Sequence, residues 1–108
     1  MADQDLPAPV ARAIDAVNAG DTDGFLSEFA DDGWIDDNGR RFDGHDEMRA
    51  WSDRELIGAN TTFDVTASEP DEEGVAVDIE VSSDGFNGPS RFVFDVDGDV
   101  LRSMVITA

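Results

Sequence analysis

Apolar residues near the start of the chain recur at the spacing of an α-helix. In residues 7–19, Val10, Ile14 and Val17 fall on one face. The two prolines of this stretch fit the first helical turn, and Gly20 fits the position just past the last turn. The pattern therefore predicts a first helix over residues 7–19.

The next stretch predicts a short second helix. Asp21 or Thr22 can cap its start, while Phe25 and Phe29 are one turn apart. Gly33 follows the predicted end of this helix. Because the turn between the two helices is so short, we expect them to form an antiparallel hairpin.

A short strand and a third helix come next. The letters WIDD, residues 34–37, predict a short strand, and residues 39–44 predict its return. A third helix is predicted from about 45 to 57. Asp46 and Glu47 fall in its first turn, where the helix dipole favours negative charge.

From residue 60 the apolar period changes to two, which is the period of a strand with one buried face. Four such segments follow, separated by turns rich in Asp, Asn and Gly. The loop of the last hairpin, around Asp97 and Gly98, fits two residues or three. The predicted inward-facing residues are Phe63, Val65, Val75, Val77, Ile79, Val81, Phe92, Phe94 and Val96.

This order of helix, helix, short strand, helix and antiparallel meander predicts the α+β class, in a single domain over residues 1–108. Three N-terminal helices would lie on one face of a cone-shaped, curved sheet, antiparallel or mixed, that wraps round them. Such a sheet leaves a tapering cavity between itself and the helices. We expect a ligand to bind in that cavity.

Charge narrows the classes of partner. The chain has 26 acidic residues against 7 basic ones, a net charge of −19, so it would repel nucleic acid and anionic membranes. No stretch approaches the roughly 18 consecutive apolar residues of a membrane span, and the N-terminus lacks the features of a secretory signal. We therefore expect a cytoplasmic protein.

The acidic excess is typical of a surface adapted to high salt, although the absence of lysine also fits a GC-rich genome.

Several chemistries lack the residues that they need. The chain has no cysteine and one histidine, so we expect neither disulfides nor a metal site. It contains no glycine-rich nucleotide loop and no nucleophile elbow. The sequence therefore predicts a protein without a cofactor.

Three stretches resemble a known superfamily. They are FADDGWIDD, FDGHDEMRAW and GFNGPSRFVFDVDGDVLRSM, and together with the order of elements they resemble the nuclear-transport-factor-2-like proteins, in particular the SnoaL-like branch. The resemblance covers nearly the whole chain. It implies the cone fold, a homodimer formed through the sheet, and a pocket for a small hydrophobic molecule. This fold serves isomerases, cyclases and dehydratases as well as plain binding or assembly domains.

The ketosteroid isomerase branch of that superfamily implies a place for a general base. Its catalytic aspartate lies on the short strand, some eight or nine residues before the glycine that starts the third helix. Asp36, eight residues before Gly44, is similar in position. The same branch uses a tyrosine and a second aspartic acid as its oxyanion hole. This chain has no tyrosine, and the place of the second acid falls on Ser90.

Asp36 is therefore the first catalytic candidate. Burial between Trp34, Trp51 and the phenylalanines would improve it as a base near neutral pH. The alternative is that Asp36 merely turns the chain before the Asn-Gly pair. We expect the neighbouring Asp37 to point to the opposite face, into solvent.

His45 is the second catalytic candidate, because imidazole can shuttle protons near neutrality; at a helix start it can also be simply exposed. Candidate substrate-binding residues are bulky apolar side chains for the walls and arginines for an anionic group. They are Trp34, Trp51, Phe25, Phe29, Phe63, Phe86, Met104, Arg54 and Arg91. The alternative role of the apolar residues is core packing, and Phe86 can also be an ordinary loop residue. The alternative role of the arginines is ion pairing.

Two functions stay open on these residues. The first is a cofactor-free isomerase, cyclase or dehydratase in which Asp36 removes a proton next to a carbonyl. The second is a non-catalytic module that binds a ligand or dimerises. The missing tyrosine and second acid favour the second, because a base alone stabilises no developing oxyanion.

Overall fold

The computed structural model describes residues 6–108 and has the predicted order of elements. Residues 1–5, which belong to the predicted domain and to the N-terminus assessed for a signal, lie outside the described residues. The helices are α1 (Ala8–Ala19), α2 (Thr22–Ser27), α3 (Gly44–Glu55) and the 3-10 turn η1 (Ile57–Ala59). The strands are β1 (Phe29–Asp37), β2 (Arg40–Asp43), β3 (Thr62–Asp71), β4 (Gly74–Ser82), β5 (Gly88–Asp97) and β6 (Val100–Thr107).

The six described strands form one sheet in the order β2-β1-β6-β5-β4-β3. Neighbouring strands are antiparallel except β1 and β6, which are parallel, so the sheet is mixed. Asp97 pairs with Val100 in the last hairpin, which gives that hairpin the two-residue loop. The predicted α+β cone, with three α-helices in residues 6–108, is confirmed. None of the helices described is long and apolar enough to cross a membrane.

Helix α2 is shorter than predicted. It ends at Ser27, so Phe29 opens strand β1 and does not extend the helix. The rings of Phe25 and Phe29 still pack edge to face, with their centroids 5.3 Å apart. Two phenylalanines four residues apart can meet across a helix-to-strand turn as well as along a helix, which is why their spacing misled the prediction. Asp21 is the cap, and its carboxylate accepts a hydrogen bond of 2.9 Å from the Gly24 N–H.

Gly33, which was expected to follow α2, lies inside β1. The register between β1 and β6 shifts between Phe29 and Trp34, so this part of the strand is irregular. A Cβ on Gly33 would stand 3.0 Å from the carbonyl oxygen of Ala30. The close approach explains why a glycine lies here.

The core lies between the helices and the inner face of the sheet, the face that they cover. Val10, Ile14 and Val17 of α1 are buried there, as their helical spacing predicts. The alternating apolar residues of β4 and the two phenylalanines of β5 are also buried. Val65 and Val96 are partly buried against the same cluster. The period-two pattern therefore predicted the buried face of the meander correctly.

Asn18 joins the end of α1 to the edge strand β3. Its side-chain amide donates to the carbonyl oxygen of Phe63 at 3.0 Å, and its Oδ1 accepts from the Phe63 N–H at 2.7 Å. The side chain thus satisfies both backbone groups of Phe63 on the side that has no neighbouring strand. This contact fixes the start of β3 against the helical layer.

We predict that Asn18→Ala lowers the free energy of unfolding by about 1–3 kcal/mol, because two hydrogen bonds are lost and a backbone pair is left without partners. Urea unfolding followed by far-UV circular dichroism measures the change. Asp15→Ala is the control, since Asp15 is exposed on the same helix and makes no hydrogen bond or ion pair within residues 6–108. Equal unfolding midpoints for the two variants would contradict the proposed anchoring.

Candidate functional site

A pocket of about 450 Å³ lies between the C-terminal end of α3, the turn η1 and the sheet. We call it the α3 pocket. Apolar walls are provided by Trp51, Phe63, Phe92, Val81 and Ile106, with Phe86 at the edge. Charged side chains are provided by Asp37, Arg40, Arg54 and Glu55, and hydroxyls by Thr61, Ser83 and Ser90. A volume of this size and a mostly apolar lining are typical of small-molecule sites.

The aspartate on the pocket wall is Asp37, and the prediction that Asp36 faces the cavity is wrong. Ile35 is fully buried, and side chains alternate along a strand, so Asp37 faces inward with Ile35 while Asp36 faces outward. In the parallel pairing with β6, Asp37 lies beside Ile106, which also lines the pocket, and Asp36 lies beside Val105. The prediction placed the larger Trp34 inside, whereas the chain buries Ile35.

Asp36 and Trp34 lie on the outer face of the sheet, the face turned away from the helices. The Asp36 carboxylate accepts a hydrogen bond of 2.7 Å from the Gly39 N–H and so closes the turn between β1 and β2. The guanidinium of Arg41 covers the Trp34 ring at 3.6 Å from the ring centroid. Neither Asp36 nor Trp34 lines the α3 pocket.

Trp51 lies on the pocket wall as predicted. Its side chain is almost fully buried, and its Nε1–H donates a hydrogen bond of 3.2 Å to Oδ2 of Asp37. Phe42 packs beside the ring, with the centroids 5.9 Å apart. These contacts hold the indole in one orientation and tie it to the pocket carboxylate.

Arg40 connects the β1–β2 hairpin to the end of α3. Its two terminal nitrogens donate to the two carboxylate oxygens of Glu55, at 2.9 and 2.6 Å, and one of them also donates to Asp37. The hydrogen bond from Arg40 lowers the pKa of Glu55, although partial burial opposes the shift. Hydrogen bonds to Glu55 and then Asp37 raise the pKa of Arg40 in turn. Arg40 and Glu55 are therefore both charged at neutral pH.

His45 does not line the pocket. Its Nε2 lies 3.1 Å from the carbonyl oxygens of Phe29 and of Ala30. Carbonyl oxygens only accept hydrogen bonds, so Nε2 carries the hydrogen and donates to both. His45 thus links the start of α3 to the irregular part of β1. Within residues 6–108 it makes no hydrogen bond with another candidate catalytic residue.

The remaining binding candidates divide into two groups. Phe63, Phe86 and Arg54 line the pocket as predicted, and Phe86 is 46% exposed. Phe25, Phe29, Met104 and Arg91 do not line it. The first three are buried in the core, which is their alternative role, while Arg91 pairs with Asp78 and Glu69.

Sequence reasoning missed several pocket residues. Counting outward from Ile35 by twos would have found Asp37, whereas Arg40, Glu55 and Thr61 meet only in the folded chain. Ser90, the position of the second acid in the isomerase resemblance, does line the pocket and is 8% exposed. Residues 6–108 contain no cluster of three or more His, Asp or Glu side chains arranged for a metal ion.

Solved structures with the same fold come from several organisms. A protein from Sinorhizobium meliloti, provisionally named a polyketide cyclase, is 25% identical and matches with a TM-score of 0.86 over 95% of this chain and 96% of its own. A Mycobacterium tuberculosis protein in complex with estradiol-17β-hemisuccinate is 20% identical, with a TM-score of 0.79 over 95% and 94% of the two chains. A computationally designed 17-OHP binder is 17% identical, with a TM-score of 0.79 over 95% and 92%.

No curated protein matches the chain. The family model described as the SnoaL-like domain matches residues 10–103. That range contains all three helices except the first two residues of α1, every strand but the end of β6, and most of the α3 pocket. This chain therefore belongs to the SnoaL-like family of nuclear-transport-factor-2-like proteins.

Proposed function

We propose that this protein binds a small, largely apolar molecule in the α3 pocket. The observation that carries the proposal is a pocket of about 450 Å³ walled by aromatic and aliphatic side chains, with its charged groups grouped at the ends of α3 and β1. Apolar walls contribute affinity by removing ligand surface from water, and a few polar groups set the orientation.

Two proteins of the same fold support this class of ligand. The Mycobacterium tuberculosis protein holds an estradiol derivative, and the designed protein is described as a 17-OHP binder. At 20% and 17% identity they share the fold with this chain, and the ligand class is our proposal.

We predict that estradiol, as a neutral probe, changes the fluorescence of Trp51 and leaves that of Trp34 unchanged. The two tryptophans lie on opposite faces of the sheet, so Trp34→Phe retains only the pocket reporter and Trp51→Phe only the outer one. Titration of the Trp34→Phe protein should give a saturable change, whereas the Trp51→Phe protein should give none.

Equilibrium dialysis of the same proteins checks binding without fluorescence. Dialysis should show weaker retention of estradiol by the Trp51→Phe protein, because part of the pocket wall is removed. If Trp51→Phe retains estradiol as well as the unaltered protein does, the ligand binds outside the pocket. A fluorescence change from Trp34 alone would lead to the same conclusion. If neither protein retains estradiol or responds to it, the proposal is contradicted for steroid-like ligands.

Catalysis is the second candidate function, now with Asp37 as the base. Asp37 is one of two carboxylates on the wall of a largely apolar pocket, beside Glu55, and its side chain is 15% exposed. Arg40 and Trp51 donate hydrogen bonds to its Oδ2. Its Oδ1 accepts a longer one, 3.4 Å, from the side-chain amide of Asn38, so Oδ1 is the less tightly held oxygen. The hydroxyl of Ser90 and the guanidinium of Arg54 are the pocket donors that could face a developing oxyanion. Catalysis ranks below binding, because contacts with Arg40, Trp51 and Asn38 already engage both oxygens of Asp37.

We predict that an isomerase-type activity would exchange the protons next to the carbonyl of a bound steroid ketone, and that Asp37→Asn would slow this exchange by at least about 10²-fold. Proton NMR in D₂O measures the exchange. Asp36→Asn is the matched control, since it makes the same change one residue away on the outer face. Equal rates for the two variants and the unaltered protein would exclude Asp37 as the base.

We further propose a homodimer formed through the outer face of the sheet. Val93 and Val105 are cross-strand partners on this face, and Ala76 is the partner of Val93 on β4. Trp34 lies on the same face. Ala76, Val93 and Val105 form an apolar row that ends at Asp36 on β1, with Trp34 two residues away along that strand. A second copy of the chain could cover the two valines and Trp34, which are partly exposed.

We predict that light scattering in high salt, which screens the repulsion between acidic chains, gives twice the mass of the chain. Val93→Asp should shift the protein to the monomer, because it places a charge in the interface. Val100→Asp is the control, since Val100 is exposed in the β5–β6 hairpin. A monomeric mass for the unaltered protein at all concentrations would contradict the dimer.

A further inference from the structure

Among the described residues, Arg54 differs from the other arginines in having no acidic partner within contact distance. Residues 6–108 contain all seven arginines of the chain, and Arg54 alone makes no ion pair or hydrogen bond with a described residue. The paired ones are Arg12, Arg40, Arg41, Arg49, Arg91 and Arg102. In a chain with 26 acidic residues, a guanidinium without a carboxylate partner is unusual, and this one lines the α3 pocket.

The charge of the pocket wall also differs from that of the chain. The four charged side chains that line the pocket are Asp37, Glu55, Arg40 and Arg54, so their charges cancel, whereas the chain carries −19. Arg40 already contacts both carboxylates. Arg54 is therefore the cation of the wall whose donors are free to bind a ligand.

Two hydroxyls on the same wall make no hydrogen bond within residues 6–108. Thr61 is 5% exposed and its Oγ1 makes no hydrogen bond with the described residues. Ser90 is 8% exposed, and its hydroxyl likewise makes none within residues 6–108. A buried hydroxyl such as that of Thr61 normally has a partner. The Ser90 oxygen is not among the fully buried unpaired ones, so it is the hydroxyl that a ligand oxygen could reach. A ligand that is a pure hydrocarbon would offer no hydrogen-bond partner to either hydroxyl.

We propose that the ligand of the α3 pocket is a monocarboxylate with an apolar body, bound with its carboxylate on Arg54. This inference rests on the proposed binding function and names the class of ligand. The apolar part packs against Trp51 and Phe63, where it meets the buried hydroxyls, and the charged end stays at Arg54, which is exposed. A guanidinium presents two parallel N–H donors to one carboxylate, and this geometry matches Arg54 to that group.

The acids beside Arg54 favour a single negative charge on the ligand. Asp37 and Glu55 line the same pocket, and both would repel a dianion such as a phosphate monoester more strongly than a carboxylate. The negative electrostatic field of the whole chain also repels a dianion more strongly than a monoanion. An anion can bind here only where one local cation outweighs that field, so we expect its affinity to depend on Arg54.

Estradiol and estradiol-17β-hemisuccinate form a matched pair of probes, since they share the ring system and differ by an ester that carries a carboxylate. Isothermal titration should show that the unaltered protein binds the hemisuccinate about tenfold more tightly than estradiol. Arg54→Gln should reduce this ratio to about one, because the hemisuccinate loses the carboxylate contact that estradiol does not make. Arg49→Gln is the control, because it removes the same charge from the same helix, at a residue that pairs with Asp23 and does not line the pocket.

The outcomes test the carboxylate inference and the proposed binding function separately. If both probes bind equally and Arg54→Gln changes neither, the carboxylate inference is overturned while the binding function stands. If Arg49→Gln and Arg54→Gln lower the ratio equally, general charge and not a site at Arg54 causes the preference, and the inference is again overturned. If neither probe binds the unaltered protein, both proposals fail. The methyl ester of the hemisuccinate should bind like estradiol, because it has the same added atoms without the charge; tight binding of that ester would also overturn the inference.

Discussion

The burial of Ile35 determines which chemistry the pocket can have. This side chain is fully buried at the centre of β1, and the alternation of a strand then fixes the side of every neighbour. Asp37 is brought to the pocket, and Trp34 and Asp36 are brought to the outer face. A shift of the strand by one residue would exchange these two sets, bury Asp36 and expose Ile35. The parallel pairing with β6, which places Ile35 beside Met104, opposes such a shift.

The contacts of Asp37 combine structural and functional roles. Arg40 links this carboxylate to Glu55 and so joins the hairpin to the end of α3. The same contact engages the carboxylate, and this arrangement suits a residue that orients a ligand better than a base that must take a proton. In this chain a single arginine at the start of β2 makes both contacts.

The sequence predicted the fold well because the fold depends on patterns that one chain displays. Helical spacing marked α1, period two marked the meander, and glycine at position 20 marked a helix end in the left-handed conformation that it adopts. The candidate site was harder to predict, because it depends on which face of a four-letter strand is buried. The size of Trp34 predicted that its face of the strand is buried. The structure instead buries the opposite face, which carries Ile35. The contacts of Arg40 with Glu55, fifteen residues away, arise only from packing. The same is true of Arg54, whose guanidinium makes no ion pair with the residues that the structure describes.

The parallel pairing of β1 with β6 has a consequence for how the chain reaches its structure. These strands are about seventy residues apart, so β1 has only the β2 hairpin as a local partner until the last segment has been synthesised. The meander from β3 to β6 consists of successive hairpins, so its strands pair with neighbours that are close in the chain. The pocket takes parts of its wall from β1 and from Ile106 of β6, so it is complete only when the parallel pair has formed across that separation.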